Sequence, residues 1–288
     1  MVETKILDGK KIAAQVRAEI AEEIKKSGIT PRLAVVLVGD HPASQIYVRN
    51  KKKMAQEVGI DVEEYHLPAS TGQGQVLDLI DALNEREEID GILVQLPVPP
   101  HIETSVLTER ISPLKDVDGL HPMNVGNLVV GKPAFVPCTP LGCMRLLKEA
   151  IPHPEGLHAV VVGRSALVGR PLTTLLLREN CTVTQAHSRT KNLSELCRQA
   201  DILVAAVGKP GLIKGEDIKE GAVVIDVGIN RLSDGKIVGD ILFLEMMEKA
   251  SYVTPVPGGV GPMTIAMLLQ NTLRASQLKA GKKKGVIR

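Results

Sequence analysis

Two α/β domains, each built on a mostly parallel sheet, are what this 288-residue sequence predicts. Three observations carry the prediction: short apolar, β-branched runs bounded by Gly, Pro or Asp; helical spacing between those runs; and two such series flanking a loop-rich segment, Ile111 to Pro140. In the first series Leu33-Ala-Val-Val-Leu-Val38, Val62 to Leu67 and Gly91-Ile-Leu-Val-Gln-Leu96 read as strands. Helices are expected between them at Ala43 to Glu57 and at Gln75 to Arg86, where Val76, Leu79, Ile80 and Leu83 fall on one face. In the second series Ala159 to Val162, Cys181 to Ala186, Ile202 to Ala206 and Ala222 to Val227 read as strands, with helices at Pro171 to Glu179 and Leu193 to Gln199. This βαβα order implies sheets covered on both faces. A last helix is expected from Met263 to Leu278, and the basic tail Lys279 to Arg288 reads as a solvated terminus.

Composition excludes several classes of function. With 44% hydrophobic and 24% charged residues the chain can bury one large or two medium cores. A net charge of +2, no Trp, three Tyr and two Phe leave no basic and aromatic surface for stacking nucleobases, so no nucleic-acid partner is expected. The first ten residues lack the apolar core of a signal peptide, and no apolar run approaches the ~20 residues that span a bilayer. The expected compartment is the cytoplasm, with no membrane partner. Cys138, Cys143, Cys181 and Cys197 include no C-x-x-C pair and read as reduced, buried thiols. The seven histidines show no H-x-x-x-H or H-x-H spacing, so no metal is expected.

The most informative stretch is Ala159-Val-Val-Val162 followed by Gly163-Arg-Ser-Ala-Leu-Val-Gly169 and Arg170-Pro-Leu-Thr-Thr-Leu-Leu-Leu177. Strand, tight turn and helix in that order aim backbone N–H groups at an anion, where a dinucleotide's phosphates would sit. The glycines depart from G-x-G-x-x-G, because Arg164 and Ser165 follow the first and the second arrives only at Gly169. A plain tight connection is the competing reading.

Four further segments could carry chemistry. Tyr47 and Lys51 lie four apart on one helix face, beside Arg49, Lys52 and Lys53. An unperturbed lysine, with a pKa near ~10.4, serves as a base near neutral pH only when desolvated or crowded by positive charge. A solvated basic face is the alternative. Gln95 sits in an apolar strand next to Pro97, where a buried amide must find partners and where α/β proteins place ligands. Lys115-Asp-Val-Asp-Gly-Leu-His-Pro122 offers two carboxylates, either as a turn or as a substrate-binding group, with too few ligands for calcium. Tyr252-Val-Thr-Pro-Val-Pro-Gly-Gly-Val-Gly-Pro-Met-Thr264 is a stiff loop whose backbone can approach a ligand closely.

Six segments in order, Val38 to Lys51, Val94 to Pro97, Asp116 to Gly119, Pro137 to Gly142, Gly163 to Pro171 and Pro255 to Thr264, closely resemble the bifunctional methylenetetrahydrofolate dehydrogenase/methenyltetrahydrofolate cyclohydrolase family. The resemblance runs from Ile6 to about Leu278. It implies a folate-binding catalytic domain over 1–142, joined by a C-terminal helix at 270–288, and a Rossmann-like NADP-binding domain over 143–269, with a cleft between them. It also implies oxidation of 5,10-methylenetetrahydrofolate with NADP and hydrolysis of the methenyl product to 10-formyltetrahydrofolate, by a homodimer formed through the NADP domain. By this resemblance Lys51 is the central catalytic residue, Gln95 hydrogen-bonds it, Tyr47 lies against the folate ring and Asp118 holds the pterin's amino-bearing edge. Pro257, Gly258, Gly259 and Thr264 match the loop on the folate side. Gly163, Arg164 and Ser165 match the phosphate loop, with Ser188 and Ile229 toward the nicotinamide end. Residue chemistry also favours NADP over NAD: Gln185-Ala-His-Ser-Arg-Thr190 lacks the acidic residue that would bind a ribose hydroxyl. Arg164, Ser188 and Arg189 are the candidates for a 2′-phosphate, Arg189 standing equally as a surface arginine. A monofunctional NADP-dependent dehydrogenase and a non-catalytic dinucleotide sensor are the alternatives. The sensor would need neither the Tyr47 and Lys51 face nor the glycine-proline loop.

Overall fold

The structure is a computed structural model that describes residues 3–40 and 42–283. His41 in the first of the six segments, and the tail beyond Lys283, lie outside the described residues. The elements begin with β1 (Lys5–Ile6), α1 (Gly9–Ser27), β2 (Arg32–Val38), α2 (Pro42–Val58), β3 (Asp61–Leu67), α3 (Gln73–Glu85) and β4 (Gly91–Val94). Next come α4 (Thr104–Arg110), α5 (Pro122–Val129), α6 (Cys138–Ala150), β5 (His158–Val162), α7 (Gly169–Arg178), β6 (Thr182–Ala186), α8 (Leu193–Cys197) and β7 (Ile202–Ala205). The last are β8 (Val223–Asp226), β9 (Asn230–Arg231), β10 (Ile237–Val238), α9 (Phe243–Met246), β11 (Tyr252–Val253) and α10 (Val260–Lys283).

The chain forms two compact units. One comprises Gln15–Val136 and resumes at Ile265; the other runs to Ala14 and resumes over Pro137–Thr264. In the first, a parallel sheet of order β3-β2-β4 has β2 at its centre. Leu33, Val35 and Leu37 are buried on one face of β2 and Ala34, Val36 and Val38 on the other, the pattern of a sheet covered on both sides. Val76, Ile80 and Leu83, at i, i+4 and i+7 of α3, join Val36, Ile92 and Leu107 in one core. The edge strand β3 carries charged residues that are exposed or half-buried, which discourages pairing with another chain.

The other unit holds a six-stranded parallel sheet of order β1-β11-β8-β7-β5-β6. Its apolar strand centres, Val160, Val162, Leu203 and Val224, pack with Cys197 and Met246 in a second core. Burial pushes the Cys143 and Cys197 thiols up to about 12, which keeps them protonated and unreactive. Among the described residues no helix is long and apolar enough to cross a membrane.

Several boundaries differ from expectation. The division expected at 142/143 falls inside α6, and the first strand pairs with β11 through Lys5 N–H to the Ser251 carbonyl, 2.9 Å. The N-terminus therefore belongs with residues 137–264. Cys181, expected to open a strand, donates its N–H to the Leu176 carbonyl and closes α7 instead. The segment Ile111 to Pro140 contains α5, for which Pro122 supplies the first turn and the His121 ring accepts the Met123 N–H at 3.0 Å. Lys279, expected in a solvated tail, is anchored: its ammonium donates to the Glu87 carbonyl, 2.8 Å, and pairs with buried Asp90.

Candidate functional site

Lys51 lies on α2, and the helix divides its basic residues by face. Lys51 is buried (9% exposed), whereas Lys52 pairs with Glu64 at 2.5 Å and Tyr47, one turn earlier, is 42% exposed. The solvated-face alternative holds for Arg49 and Lys53 and fails for Lys51. Lys51 Nζ donates to Gln95 Oε1 at 2.9 Å, so the two residues meet across 44 positions of sequence. Gln95 is not within the strand as expected: β4 ends at Val94, and Gln95 keeps one ladder bond, its N–H donating to the Val36 carbonyl, before the chain turns at Pro97. Its Nε2 donates to the Leu96 carbonyl at 2.6 Å, which turns the amide oxygen toward the lysine.

The two carboxylates of the Asp116 to Gly119 turn have different duties. Asp116 is 2% exposed and accepts the Leu120 and His121 N–H groups and the Asn124 amide, so it builds the turn. Asp118 is half-buried, on a segment brought beside β4 by the parallel bridge Ile92↔Asp116. The turn is held from both ends: Asn271 donates to the Val117 carbonyl, and Lys115 donates to three carbonyls, those of Leu83, Asn84 and Arg86. Burial pulls the Lys115 pKa down, helped by the charge of Lys279 and opposed by Asp90 and Glu88.

In the other unit the Gly163 to Gly169 loop joins β5 to α7. Gly163 has φ +137°, and a Cβ there would stand 2.2 Å from the Ala206 carbonyl oxygen; one at Gly169 would stand 2.2 Å from the Gly163 oxygen. The cradle thus admits only glycine at both ends. Between them Arg164 and Ser165 are exposed. Ser165 Oγ accepts the Val168 and Gly169 N–H groups at 3.1 and 3.4 Å, which leaves its own hydrogen to donate to an anion. After β6, the His187 N–H donates to Thr190 Oγ1 and the Arg189 N–H to His187 Nδ1, presenting Ser188 and Arg189 to solvent. An open glycine cradle, a hydroxyl donor and two exposed arginines with no acid after β6 fit a dinucleotide carrying an extra phosphate.

The glycine-proline loop is fixed by residues that sequence reasoning missed. The Gly258 carbonyl accepts the Lys10 N–H at 3.1 Å, and a Cβ at Gly9 would stand 1.7 Å from the Gly259 oxygen. Asp8 Oδ1, accepting from Lys10 and Lys11 N–H, caps α1 at this point, and Asp8-Gly9 before an apolar periodic run was the available signal. Thr264 Oγ1 lies 3.0 Å from Thr139 Oγ1, and Gly142 packs against Met263, so the Pro137 to Gly142 segment supports the loop's end. Pro257 is exposed and Gly259 buried.

Ile229, 59% exposed, follows β8 on a loop organised by Asp226. Burial raises the Asp226 pKa to about 6; the Asp240, Gly228 and Ile241 N–H groups pull it back, and the Asp240 charge raises it further. An unfolded aspartate titrates near ~3.9, so the native chain holds the extra proton between these values. The stability this contributes is present in full below about pH 4 and is lost as pH rises to about 6, at most about 3 kcal/mol. The thermal midpoint of the protein relative to its Asp226→Asn variant is therefore expected to be more favourable at pH 4.5 than at pH 7. A difference that is flat or grows with pH would contradict this ionisation.

Comparison with known proteins identifies the family. Residues 7–118 match the catalytic domain of the tetrahydrofolate dehydrogenase/cyclohydrolase family and residues 137–280 its NAD(P)-binding domain. The bifunctional protein FolD of Moorella thermoacetica is 60% identical over 275 residues, covering 94% of this chain and 98% of that one. The crystal structure of the bifunctional enzyme FolD, a methylenetetrahydrofolate dehydrogenase/cyclohydrolase from Campylobacter jejuni, superposes with a TM-score of 0.93 at 50% identity, covering 96% and 99% of the two chains. The Trypanosoma brucei enzyme, solved with NADP and an inhibitor, gives 0.91 at 39% identity over 97% and 99%. With both domains matched in order and likeness at this level along nearly its whole length, the chain belongs to the tetrahydrofolate dehydrogenase/cyclohydrolase family.

Proposed function

We propose that the chain oxidises 5,10-methylenetetrahydrofolate with NADP and hydrolyses the methenyl product to 10-formyltetrahydrofolate, with Lys51 as the proton carrier of the second step. The observation that carries the reading is the buried lysine amine held 2.9 Å from an amide oxygen whose orientation is itself fixed. Hydride transfer needs two carbons brought into line and no proton carrier. Adding water to a cationic carbon does need one.

NADP, when bound, accepts the hydride; Gly163, Arg164, Ser165, Ser188, Arg189 and Ile229 are the residues that would hold it. Asp118 accepts paired N–H donors from the pterin edge, a recognition that suits a carboxylate, and Tyr47 offers its ring to the folate. Pro257, Gly258, Gly259 and Thr264 are further substrate-binding residues. In the hydrolytic step Lys51 Nζ, as a neutral amine, takes a proton from water while the oxygen bonds to the bridge carbon. The bond from that carbon to N5 then breaks and Lys51 returns a proton to N5. Of water's two protons one ends on N5 and the other leaves to solvent. Gln95 keeps Nζ aimed throughout.

Purified protein mixed with methylenetetrahydrofolate and NADP is expected to give reduced cofactor by absorbance, followed by the formyl product. No signal with either NADP or NAD would sink the reading, and reduced cofactor without formyl product would leave only a dehydrogenase. For the 2′-phosphate, Arg164→Ala and Arg189→Ala are each expected to weaken NADP about tenfold more than NAD, the worth of one charged hydrogen bond. Equal losses for the two cofactors would contradict that assignment. We also assign the chain to the cytoplasm, where buried thiols such as its four stay reduced, and to a homodimer through the unit containing residues 137–264, which sedimentation equilibrium tests.

A further inference from the structure

We propose that Asp240 is a positioning residue for the dehydrogenase step, holding the turn after β7 and the loop after β8 as one wall against the nicotinamide ring. The inference rests on the reading that this unit binds NADP, and it concerns a residue that no motif singled out. Asp240 is 0% exposed, and its two oxygens collect four donors, three from the turn after β7 and one from Asn230 at the start of β9. Oδ2 accepts the Val207 and Gly208 N–H groups at 2.7 and 2.9 Å. Oδ1 accepts the Lys209 N–H at 2.8 Å and the Asn230 side-chain amide at 2.9 Å. Three successive backbone N–H groups on one carboxylate leave the turn after β7 a single conformation.

The carboxylate is itself held in place. Asp226 Oδ1 accepts the Asp240 N–H at 2.9 Å, and a Cβ on Gly228 would stand 2.3 Å from Asp240 Oδ1, so the approach demands glycine there. What the arrangement displays is apolar. Val207, next to the clamped turn, is 36% exposed and Ile229, next to Asn230, is 59% exposed. Both stand at carboxyl ends of neighbouring strands, where open α/β sheets take their ligands. The contact continues to the third strand, because Ala206, one residue before Val207, is the group against which Gly163 is packed. An exposed apolar pair backed by a buried carboxyl template suits a flat, weakly polar ring that must sit at one depth for hydride transfer. The same wall makes no demand on folate.

The experiment compares wild type with Asp240→Asn and Gly208→Ala, reading the KM of NADP and of methylenetetrahydrofolate and the Kd of NADP by calorimetric titration. Asparagine keeps one acceptor oxygen and turns an amide N–H against a backbone donor. Gly208 has φ +68° and open space beyond it, so alanine there strains the turn alone. Asp240→Asn is expected to raise the KM and Kd of NADP about tenfold or more, with the folate KM within about twofold. Gly208→Ala is expected to raise the same NADP constants about fivefold. NADP constants within twofold of wild type in the folded variants, or NADP and folate KM values rising together, would overturn the proposal. If Asp240→Asn does not fold, Gly208→Ala decides alone. Wild type that binds NADP without reducing it would overturn the activity while the Kd comparison still judges Asp240.

Discussion

Replacing Lys51 with Met is expected to slow methenyl hydrolysis by about 10³-fold, the range of a lost general acid–base group, while hydride transfer to NADP stays within about tenfold of wild type. Methionine is unbranched and of similar length, so it fills a position that is 9% exposed without opening a cavity. The cost to stability includes Gln95 Oε1, which loses the donor it has at 2.9 Å, about 1–3 kcal/mol. What vanishes is the amine proposed to take the proton from water and give one to N5. Lys51→Arg sharpens the test, because arginine keeps the positive charge and does not deprotonate. If charge alone were needed, arginine would restore hydrolysis; as a proton carrier it will not. Both rates are measured on one preparation, the hydrolysis by decay of methenyl absorbance and the oxidation by reduced cofactor. Hydrolysis near the wild-type rate in Lys51→Met would remove Lys51 from the mechanism.

The parts of this molecule that could be read in the sequence are those where local pattern and tertiary role coincide. Strand β2 is an unbroken apolar run because both of its faces are buried, and α3 shows its core face at i, i+4 and i+7. Pairing between remote segments leaves no such trace. Lys5–Ile6 and Tyr252–Val253 are two-residue strands that pair with each other, the second also with β8, and that pairing places the N-terminus away from the domain its position suggests. In the site, the spacing of Tyr47 and Lys51 gave a shared face but not which lysine of three is buried. The Asp116 to Gly119 turn gave two carboxylates, and only the hydrogen bonds to Leu120, His121 and Asn124 make Asp116 the internal one. Asp240 is the extreme case. Its partners lie 10 to 33 residues away, in the turn after β7 and at the start of β9, so nothing near it in sequence marks it.

Gly163→Ala is expected to lower kcat/KM for NADP-dependent oxidation about 100-fold, the size of effect that a misplacement of about 1 Å produces in an aligned transfer. Two costs combine at this position. A φ of +137° is open to glycine and strained for alanine, about 1–3 kcal/mol, and the new methyl would stand 2.2 Å from the Ala206 carbonyl oxygen, a further ~1–3 kcal/mol of overpacking. The chain cannot shift to relieve the contact, because the Gly163 oxygen already lies where a Cβ on Gly169 would be, and that oxygen accepts Gln185 Nε2 at 3.1 Å. What can move is the exposed Arg164 and Ser165 turn, which is the part proposed to meet the phosphates. Gly156→Ala supplies the control: φ there is +77°, with nothing within 4 Å of the added methyl, so it carries the backbone strain without the clash. The control is expected to lose about 1 kcal/mol of stability and to keep its affinity for NADP. Methenyl hydrolysis without NADP, assigned by the proposal to Lys51 of the other unit, is expected to persist in Gly163→Ala within about threefold, since no group proposed for that step is touched. Folded Gly163→Ala that binds NADP as tightly as wild type would show that the glycine is only a tight connection and that the phosphates sit elsewhere.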